Sequence, residues 1–362
     1  MARKFARKLA RAIIIIVLII IILLAAGVAA LTALEYKPAA DEGAPLIGQA
    51  GGEVRTGEPI KLVSWNIGYG ALGDNADFFM DGGTKVYTAD EARVMENMAG
   101  ITDFLTSQKP DIVMLQELDR DSSRSRHVDE TVLVVTALTD VMGDSQYSFA
   151  NNYKAAFVPF PVPPLGKVDS GLFTMSRFES DTANRVSLPC PFSWPVRTVN
   201  LKRCLLINRM PIEGSDKELV IINLHLEAYD SGEGKIAQTK ALLSVLEEEY
   251  AKGNYVIAGG DFNQTFSNVD TSAYPDNPEG WLPGRIDAED FGSKWSLMMD
   301  ASAPTCRSLI EPYEGKSREG FQFYVIDGLI VSDNVKINAF GTTDLDFKCT
   351  DHNPVVMEFV LE

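Results

Sequence analysis

An acidic residue and an amide stand two positions apart after a glycine pair, at residues 259–263. Four residues typical of a buried strand, at positions 255–258, precede the glycines. Because strand residues two apart point to the same side, Asp261 and Asn263 can face one target together. The glycines let the backbone turn sharply and approach a ligand closely. An acid beside an amide suits a hard cation or a phosphate oxygen, so this segment predicts a site of that kind.

Most of the other apolar, strand-like segments also carry an acid, an amide or a histidine near one end. These residues are Asn66, Glu117, His225, Asp327, Asp351 and His352. In open α/β sheets, ligand sites gather where strand ends meet loops. Two of the three histidines of the chain are in this set. The joint occurrence favours one functional site at a sheet edge.

Each of these residues also has a purely structural interpretation. Asn66 can cap a turn, and Glu117 and Asp327 can be exposed strand ends. His225, which leucines flank, is typical of a hydrogen-bonded core histidine, and Asp351 with His352 can form an Asx turn. The prediction of function therefore depends on the set and not on any single member.

The candidate residues belong to six short motifs, which stand in the order Trp65-Asn66, Gln116-Glu117, Asn223-Leu224-His225-Leu226, Gly260-Asp261-Phe262-Asn263, Ile326-Asp327 and Asp351-His352. The order of these motifs resembles that of the endonuclease/exonuclease/phosphatase superfamily. This superfamily includes DNase I-like nucleases, abasic-site endonucleases, inositol polyphosphate 5-phosphatases and sphingomyelinases. The resemblance covers residues 60–361 and lacks none of the core motifs. It implies two packed β-sheets flanked by helices, with the site at one edge, and phosphoester hydrolysis with Mg²⁺; Mn²⁺ and Ca²⁺ are alternatives.

The resemblance also implies a metal site. Glu117 would be the principal ligand, with Asn66 and Asp351 close to the same ion. Carboxylate and amide oxygens suit Mg²⁺, which keeps several waters and bridges to a substrate phosphate.

The same resemblance implies the catalytic roles. His352 would face the scissile phosphate, and Asp327 would orient its imidazole and favour the charged form. Asp261 would orient or deprotonate the attacking water, while Asn263 would bond a phosphoryl oxygen as negative charge builds there. His225 would be a second phosphate or proton-transfer contact.

Hydrophobic periodicity predicts the elements that position these residues. Strands are predicted at 62–67, 111–117, 171–175, 204–210, 219–226, 255–258, 323–331 and 354–361. Helices are predicted from Thr88, with a capping box to Glu91, over 130–141, and over 235–250 with Gly253 as the C-terminal cap. Residues 265–322 lack a period and are predicted to be a long loop. The pattern predicts one α/β domain over residues 60–362, a layered sandwich with mixed sheets.

Residues 12–34 predict a transmembrane helix. They contain no charge and one polar residue, Thr32, and they are long enough to cross a hydrocarbon core of about 30 Å. Five basic residues in the segment 1–11 precede them and Glu35 follows, so the N-terminus is predicted to be cytoplasmic and the rest extracytoplasmic. A signal peptide cleaved near residues 30–33 is the alternative, but its apolar region would span roughly 7–15 residues. We therefore predict a single-pass cell-membrane anchor, followed by a flexible linker at 35–59.

The predicted extracytoplasmic part is strongly acidic, with 28 basic and 50 acidic residues and a net charge of −22. Such a surface repels nucleic acid and anionic lipid unless cations intervene. This charge argues against a protein that works by holding polyanions, and it is compatible with an enzyme that concentrates divalent metal.

The four cysteines match no zinc spacing, and their pairing cannot be deduced from the sequence, although Cys190 and Cys204 are the nearest pair.

Two further segments have weaker signals. Arg124 and Arg126 form a basic patch shortly after Glu117, for which a solvated loop is the favoured interpretation. Tyr153 can bond phosphate, but a buried strand tyrosine is favoured.

The main hypothesis is a membrane-anchored, extracytoplasmic, divalent-metal-dependent phosphodiesterase, nuclease or phosphatase. Its substrate would be nucleic acid, a phospholipid headgroup or a small phosphoester, and no obligate protein partner is evident. The alternative is a catalytically inactive binding module on the same fold, which would be expected to lose some of the acid and histidine positions that this chain keeps. A zinc hydrolase lacks support because neither a His-x-x-x-His motif nor a cysteine set is present.

Overall fold

The computed structural model describes residues 2–230, 232–277 and 280–362. Met1 of the predicted basic segment, and Ser231, Pro278 and Glu279 of the predicted catalytic domain, lie outside the described residues.

The described residues form four α-helices, four short 3-10 helices and eighteen strands. The α-helices are α1 Ala2–Ala33, α2 Glu91–Gln108, α3 Glu130–Met142 and α4 Glu233–Ala251. The 3-10 helices are Gly68–Gly70, Phe79–Asp81, Val196–Val199 and Ala288–Phe291. The strands are β1 Asp41–Gly43, β2 Leu46–Gly48, β3 Ile60–Asn66, β4 Ile112–Asp119, β5 Gln146–Val158, β6 Gly166–Ser176, β7 Thr182–Ser187, β8 Cys204–Pro211, β9 Glu218–His225, β10 Tyr255–Asp261, β11 Gln264–Phe266, β12 Gly284–Ile286, β13 Trp295–Met298, β14 Cys306–Arg307, β15 Phe323–Tyr324, β16 Asp327–Ser332, β17 Val335–Thr342 and β18 Val355–Leu361.

Two seven-stranded mixed sheets make up the sandwich. One sheet has the order β1-β7-β8-β9-β10-β16-β13 and the other has the order β17-β18-β3-β4-β6-β5-β2. The central pairs β9–β10 and β3–β4 are parallel, and the other pairs are antiparallel. The predicted α/β class, a layered sandwich of two mixed sheets flanked by helices, is confirmed.

The central strands are apolar on both faces because each face packs on a different layer. Leu62 and Ile112 belong to the cluster between the sheets, together with Ile221 and Ile257 of the opposite sheet. The alternate residue Val63 packs in the cluster that includes the apolar faces of α2 and α3. Strands buried on both faces read as continuous apolar runs, and these runs were the clearest signals in the sequence.

The start of α2 differs from the prediction. Asp90 is the N-cap, and its side chain accepts a hydrogen bond from the backbone N–H of Arg93 at 2.9 Å. The Thr88 hydroxyl instead donates to the carbonyl oxygen of Ala71 at 2.6 Å. The predicted capping box therefore does not form, because the Thr88 hydroxyl bonds outside the helix and Asp90 satisfies the first turn.

The predicted flexible linker at 35–59 is partly folded onto the domain. Within it, β1 pairs with β7 and β2 pairs with β5, so each sheet gains an edge strand. Val54 is fully buried and forms a bridge with Ile212. The prediction of a flexible linker was wrong for these residues, because the open edge of each sheet offers backbone partners that a local reading of Gly, Ala and Pro content does not reveal.

The predicted long loop at 265–322 also contains strands. Residues of β13 pair with β16 at the edge of one sheet, and β11 pairs with β12. These strands have three or four residues each, too short for a hydrophobic period. The long strands β5 and β17 were also missed.

The helix α1 carries the apolar stretch of the N-terminus. Residues Arg3–Ala33 are long and apolar enough to cross a membrane by length and composition, so α1 is a candidate transmembrane helix.

Cys190, Cys204, Cys306 and Cys349 are all free thiols, so the pair nearest in sequence does not form a disulfide.

Candidate active site

One sheet brings His225, Asp261 and Asp327 to the same level. Asp261 pairs in register with His225 on the parallel strand β9 and with Asp327 on the antiparallel strand β16. Residues in register on neighbouring strands point to the same face. Gly260, at φ 139°, allows this close approach, because a Cβ there would lie 2.0 Å from the carbonyl oxygen of Leu224.

The other sheet contributes Asn66 and Glu117. Asn66 ends β3 in register with Gln116 on the parallel strand β4. The pairing of β4 with β6 shifts between Leu115 and Leu118, and Glu117 within this irregularity has a left-handed φ of 54°. Bulges of this kind re-aim a side chain next to many active sites. Here the bulge turns the carboxylate of Glu117 into the same cavity that Asp261 lines.

The loop before β18 contributes Asp351 and His352. The indole N–H of Trp65 donates to the carbonyl oxygen of His352 at 2.9 Å, and the Thr350 hydroxyl donates to the carbonyl oxygen of Asn66 at 3.1 Å. His352 also forms a backbone bridge with Cys306. These bonds fix the loop against the end of β3, so the two sheets and this loop meet at one edge.

Asp261 lies at the centre of the polar cluster. Its Oδ2 accepts a hydrogen bond from the Asn66 amide at 2.9 Å and lies 3.3 Å from Nε2 of His225. The same oxygen lies 3.7 Å from Nε2 of His352. Burial, and then the charge of Asp327, raise the pKa of Asp261 to about 7. A carboxyl with this pKa takes and releases a proton near neutral pH, as a general base requires.

His352 and Asp327 form a buried ion pair. Nδ1 of His352 lies 2.8 Å from Oδ2 of Asp327, and both side chains are almost fully buried. Burial acts to lower the pKa of His352, but the charge of Asp327 overcomes this effect and raises the pKa well above 6.5. The imidazole is therefore held as a cation, with Nε2 directed toward Asp261.

The pKa of His225 is shifted in the opposite direction from that of His352. Burial, with the charge of Arg203 as the next cause, lowers its pKa well below 6.5. Its Nδ1 is buried without a hydrogen-bond partner among the described residues and lies 3.9 Å from Oε1 of Glu117. The two predicted catalytic histidines thus differ, one neutral and one charged.

Asn263 follows Asp261 in a left-handed turn, with φ 51°. Its backbone N–H donates to Oδ1 of Asp261 at 2.8 Å, and its side-chain amide donates to the carbonyl oxygen of Leu226 at 2.9 Å. These bonds hold the amide at the cavity wall, with one further N–H and the amide oxygen able to bond a ligand.

The predicted metal ligands are chemically suited to a divalent cation. Burial raises the pKa of Glu117 and of Asp351, and the charge of Asp351 adds to the effect at Glu117. Two acids that converge in a buried site are stabilised by a cation between them, and hard oxygen donors are what Mg²⁺ binds. Among the described residues, two triads of potential ligand atoms within 4.8 Å also occur here, namely Asp261, Asp327 and His352, and Cys306, Asp351 and His352.

Two arginines in the site have positions that the sequence did not predict. The Arg124 guanidinium makes two hydrogen bonds to Asp119, at 3.0 and 3.1 Å, and lies over the Tyr69 ring, so the solvated-loop interpretation was wrong. Arg203 is 3% exposed, and its Nε and Nη1 have no hydrogen-bond partner within the part of the chain that the structure describes. Nε lies 4.0 Å from the carboxylate of Glu227, beyond hydrogen-bond distance. A basic residue directly before the apolar strand β8 was the available sequence signal for Arg203.

A cavity of about 340 Å³ joins these groups. Glu117, Arg124, Arg203, His225, Asp261, Asn263, Asp351 and His352 line its polar part. The rest of the wall is largely apolar, with Phe78, Phe79, Val158, Leu165, Val199 and Leu201 among its residues. Tyr153 also lines the cavity, and its hydroxyl donates to the carbonyl oxygen of Val199 at 3.1 Å. The floor of the cavity is therefore polar, with carboxyl, imidazole and guanidinium groups, and its walls are largely apolar.

A sandwich of two mixed sheets, with an acid, amide and histidine cluster at one edge, is the arrangement that the resemblance implied. A sequence profile of the Endonuclease/Exonuclease/phosphatase family matches residues 63–346, more than half of the chain. The chain belongs to this family, whose members hydrolyse phosphoesters, typically with a divalent metal ion. No curated protein matches the sequence.

Solved structures of the same family have the same fold. An endonuclease/exonuclease/phosphatase from Beutenbergia cavernae DSM 12333 is 18% identical, with a TM-score of 0.54 over 84% of this chain and 72% of that chain. A family protein from Bacteroides vulgatus is 13% identical, with a TM-score of 0.53 over 84% of this chain and 100% of that chain. One from Leptotrichia buccalis C-1013-b is 12% identical, with a TM-score of 0.52 over 83% and 99%. At these identities the likeness shows the fold alone.

Proposed function

We propose that this protein is a membrane-anchored, extracytoplasmic, divalent-metal-dependent phosphoester hydrolase. The observation that carries the proposal is the convergence of Asn66, His225 and His352 on one oxygen of Asp261, at the base of a cavity that also contains Glu117 and Asp351. A carboxyl that titrates near neutral pH, a cationic imidazole and a pair of hard ligands are the groups that water attack on phosphorus requires.

Asp261 accepts the proton of the attacking water. The Asn66 amide and the backbone N–H of Asn263 hold its two oxygens in place, so that the carboxylate is oriented before substrate binds. The pKa of about 7 lets the carboxylate take the proton with little energetic penalty.

His352 stabilises the negative charge that develops on the phosphoryl group. Its ring is charged because Asp327 binds Nδ1, and Nε2 can donate a proton to the leaving oxygen. Arg203 adds a guanidinium to the same cavity, and its Nε and Nη1 have no hydrogen-bond partner among the described residues. The remaining N–H of Asn263 and the neutral ring of His225 provide further polar contacts to phosphate oxygens.

Glu117, Asn66 and Asp351 would hold the metal ion, which we propose to be Mg²⁺, with Mn²⁺ or Ca²⁺ as substitutes. When bound, the ion offsets charge on the transition state and helps to place the phosphate. Glu117 and Asp351 would supply carboxylate oxygens, and Asn66 would supply its amide oxygen, which accepts a hydrogen bond from the backbone N–H of Gly68 at 3.1 Å.

Hydrolysis of bis-p-nitrophenyl phosphate tests the proposed activity. We expect the purified protein to release p-nitrophenol with Mg²⁺, to lose this activity in EDTA and to recover it when Mg²⁺ is returned in excess. The matched control is His352→Ala, which removes the cationic ring. Equal rates for wild type and this variant would mean that the site is not catalytic, and full activity in EDTA would refute the metal assignment.

The membrane placement is a separate part of the proposal. Residues 12–34 would span the cell membrane, the segment 1–11 would be cytoplasmic and residues 60–362 would form the extracytoplasmic catalytic domain. The five basic residues before the span and the absence of charge within it support this orientation. Protease added to intact cells should remove the domain, whereas complete protection would place it in the cytoplasm.

A further inference from the structure

Two neighbouring surface segments expose large apolar side chains. In the connection from β5 to β6, Phe160 is 74% and Val162 is 87% exposed. In the connection from β7 to β8, Trp194 is 57% and Val196 is 54% exposed. Isolated exposed apolar residues are ordinary, but a contiguous group marks an interaction surface. We call these two segments, 159–165 and 188–203, the apolar rim.

The apolar rim borders the mouth of the catalytic cavity. Phe160 and Val196 each line the cavity and are also exposed, so they lie where it opens to the surface. The hydrogen bond from the Tyr153 hydroxyl to the carbonyl oxygen of Val199 joins β5 to the second segment. Each of the two segments therefore joins exposed apolar side chains to the apolar wall of the cavity.

The end of the candidate transmembrane helix is fixed to the same rim. The indole N–H of Trp194 donates to the Thr32 hydroxyl at 3.1 Å. The Glu35 carboxylate is buried and lies 3.4 Å from Nε of Arg197 and 3.4 Å from Nζ of Lys202. Separating Glu35 from these two cations would leave a buried carboxylate without a charge partner, which is strongly unfavourable. The rim thus lies at the C-terminal end of the candidate transmembrane helix α1.

We propose that the apolar rim rests in the bilayer surface and that the substrate is a membrane phospholipid, whose phosphodiester enters the cavity directly from the membrane. This inference depends on the proposed function, both on hydrolysis and on the membrane anchor. Tryptophan and other amphipathic side chains favour the level of the lipid headgroups. The apolar wall contacts the part of the lipid next to the phosphate, and the polar base reaches the phosphorus.

The proposed reaction is hydrolysis of one ester bond of the phosphodiester by water. The oxygen of water forms a new bond to phosphorus, and the bond from phosphorus to one ester oxygen breaks. Asp261 takes one proton from the water and His352 gives one to the leaving oxygen. The products are an alcohol and a phosphate monoester, and the lipid alcohol stays in the bilayer when the glycerol-side bond is broken.

The test uses the full chain reconstituted in vesicles of equal parts phosphatidylcholine and phosphatidylethanolamine, since the acidic surface is repelled by anionic lipid. Phosphorus-31 NMR follows lipid hydrolysis, and bis-p-nitrophenyl phosphate reports the chemistry on a soluble diester. Val162 and Trp194 do not line the cavity. We expect Val162→Ser with Trp194→Ser to slow lipid hydrolysis about ten-fold and to leave hydrolysis of the soluble diester unchanged.

The control is Met95→Ser with Val132→Ser, which removes two exposed apolar side chains from α2 and α3. It should leave both rates unchanged. Hydrolysis of the soluble diester without any lipid hydrolysis by wild type would overturn the membrane substrate and leave the proposed activity intact. Equal lipid rates for wild type and the rim variant would overturn the role of the rim. If the wild-type protein hydrolyses neither the lipid nor the soluble diester, the proposed function itself is refuted.

Discussion

Asp261→Asn is expected to lower kcat for bis-p-nitrophenyl phosphate by about 10²–10⁴-fold, the range for loss of a positioned general base. Asparagine keeps the size of the side chain and can still accept the hydrogen bond from Asn66, but it cannot take a proton from water. Steady-state kinetics at saturating Mg²⁺ give the measurement. Because the phosphate-binding groups remain, the KM should change far less than kcat.

The pH dependence supplies a second readout for Asp261. Its pKa is raised to about 7, and the base works only when deprotonated, so the wild-type rate should rise with pH. A bound cation favours the ionised carboxylate, so the midpoint of the rise should lie no higher than about pH 7. The Asp261→Asn variant should lack this rise.

The control for Asp261 is Asp216→Asn, at a side chain that is 87% exposed and does not line the cavity. It should retain wild-type kinetics. The assignment of Asp261 as the base fails if Asp261→Asn keeps more than a tenth of the wild-type kcat while its thermal unfolding midpoint matches that of wild type. It also fails if the variant shows the same rise of rate with pH.

Glu117→Gln is expected to weaken Mn²⁺ binding by at least about 10–100-fold, since removal of residues that merely support metal ligands already has effects of that size. Glutamine preserves the shape of the side chain but removes the charge that attracts the cation. Mn²⁺ binding followed by electron paramagnetic resonance measures affinity directly, without substrate. Activity at low metal concentration should fall in parallel and recover partly as the concentration rises.

The matched control is Glu248→Gln on α4, where the side chain is 70% exposed. It should bind Mn²⁺ as wild type does. Unchanged affinity in Glu117→Gln would move the metal to one of the two other groups of potential ligands, those around Asp327 or Cys306. Asp327→Asn and Cys306→Ser would then separate these two possibilities.

Much of the fold was predictable because the central strands are apolar on both faces. The runs that became β3, β4, β9 and β10 stand out in the sequence, and each delivers a polar residue at its end. The edge strands were not predictable in this way. Residues 41–43 and 46–48 form strands only because the edges of two sheets, whose partner residues are about a hundred or more positions away, offer hydrogen bonds.

The surroundings of the two arginines in the site were also not predictable from the sequence. Arg124 looked like part of a surface loop, and its burial follows from the ion pair with Asp119 and the contact with the Tyr69 ring. Arg203 gave only a weak signal before its strand. Charge by itself does not reveal whether a side chain faces water or a cavity, since that depends on what the loop packs against.

By itself, the sequence determined the apolar N-terminal span, the order of the strand-end motifs and the identity of Asp261 and Asn263 as a pair two residues apart. These features depend on local periodicity and composition, which are visible within a few residues. Only the tertiary structure decided that Asn66, His225 and His352 meet on one oxygen of Asp261, that the bulge at Glu117 turns its carboxylate toward them, and that the apolar rim meets the end of α1. Strand register and loop docking set these contacts between residues far apart in the chain, and no local pattern encodes them.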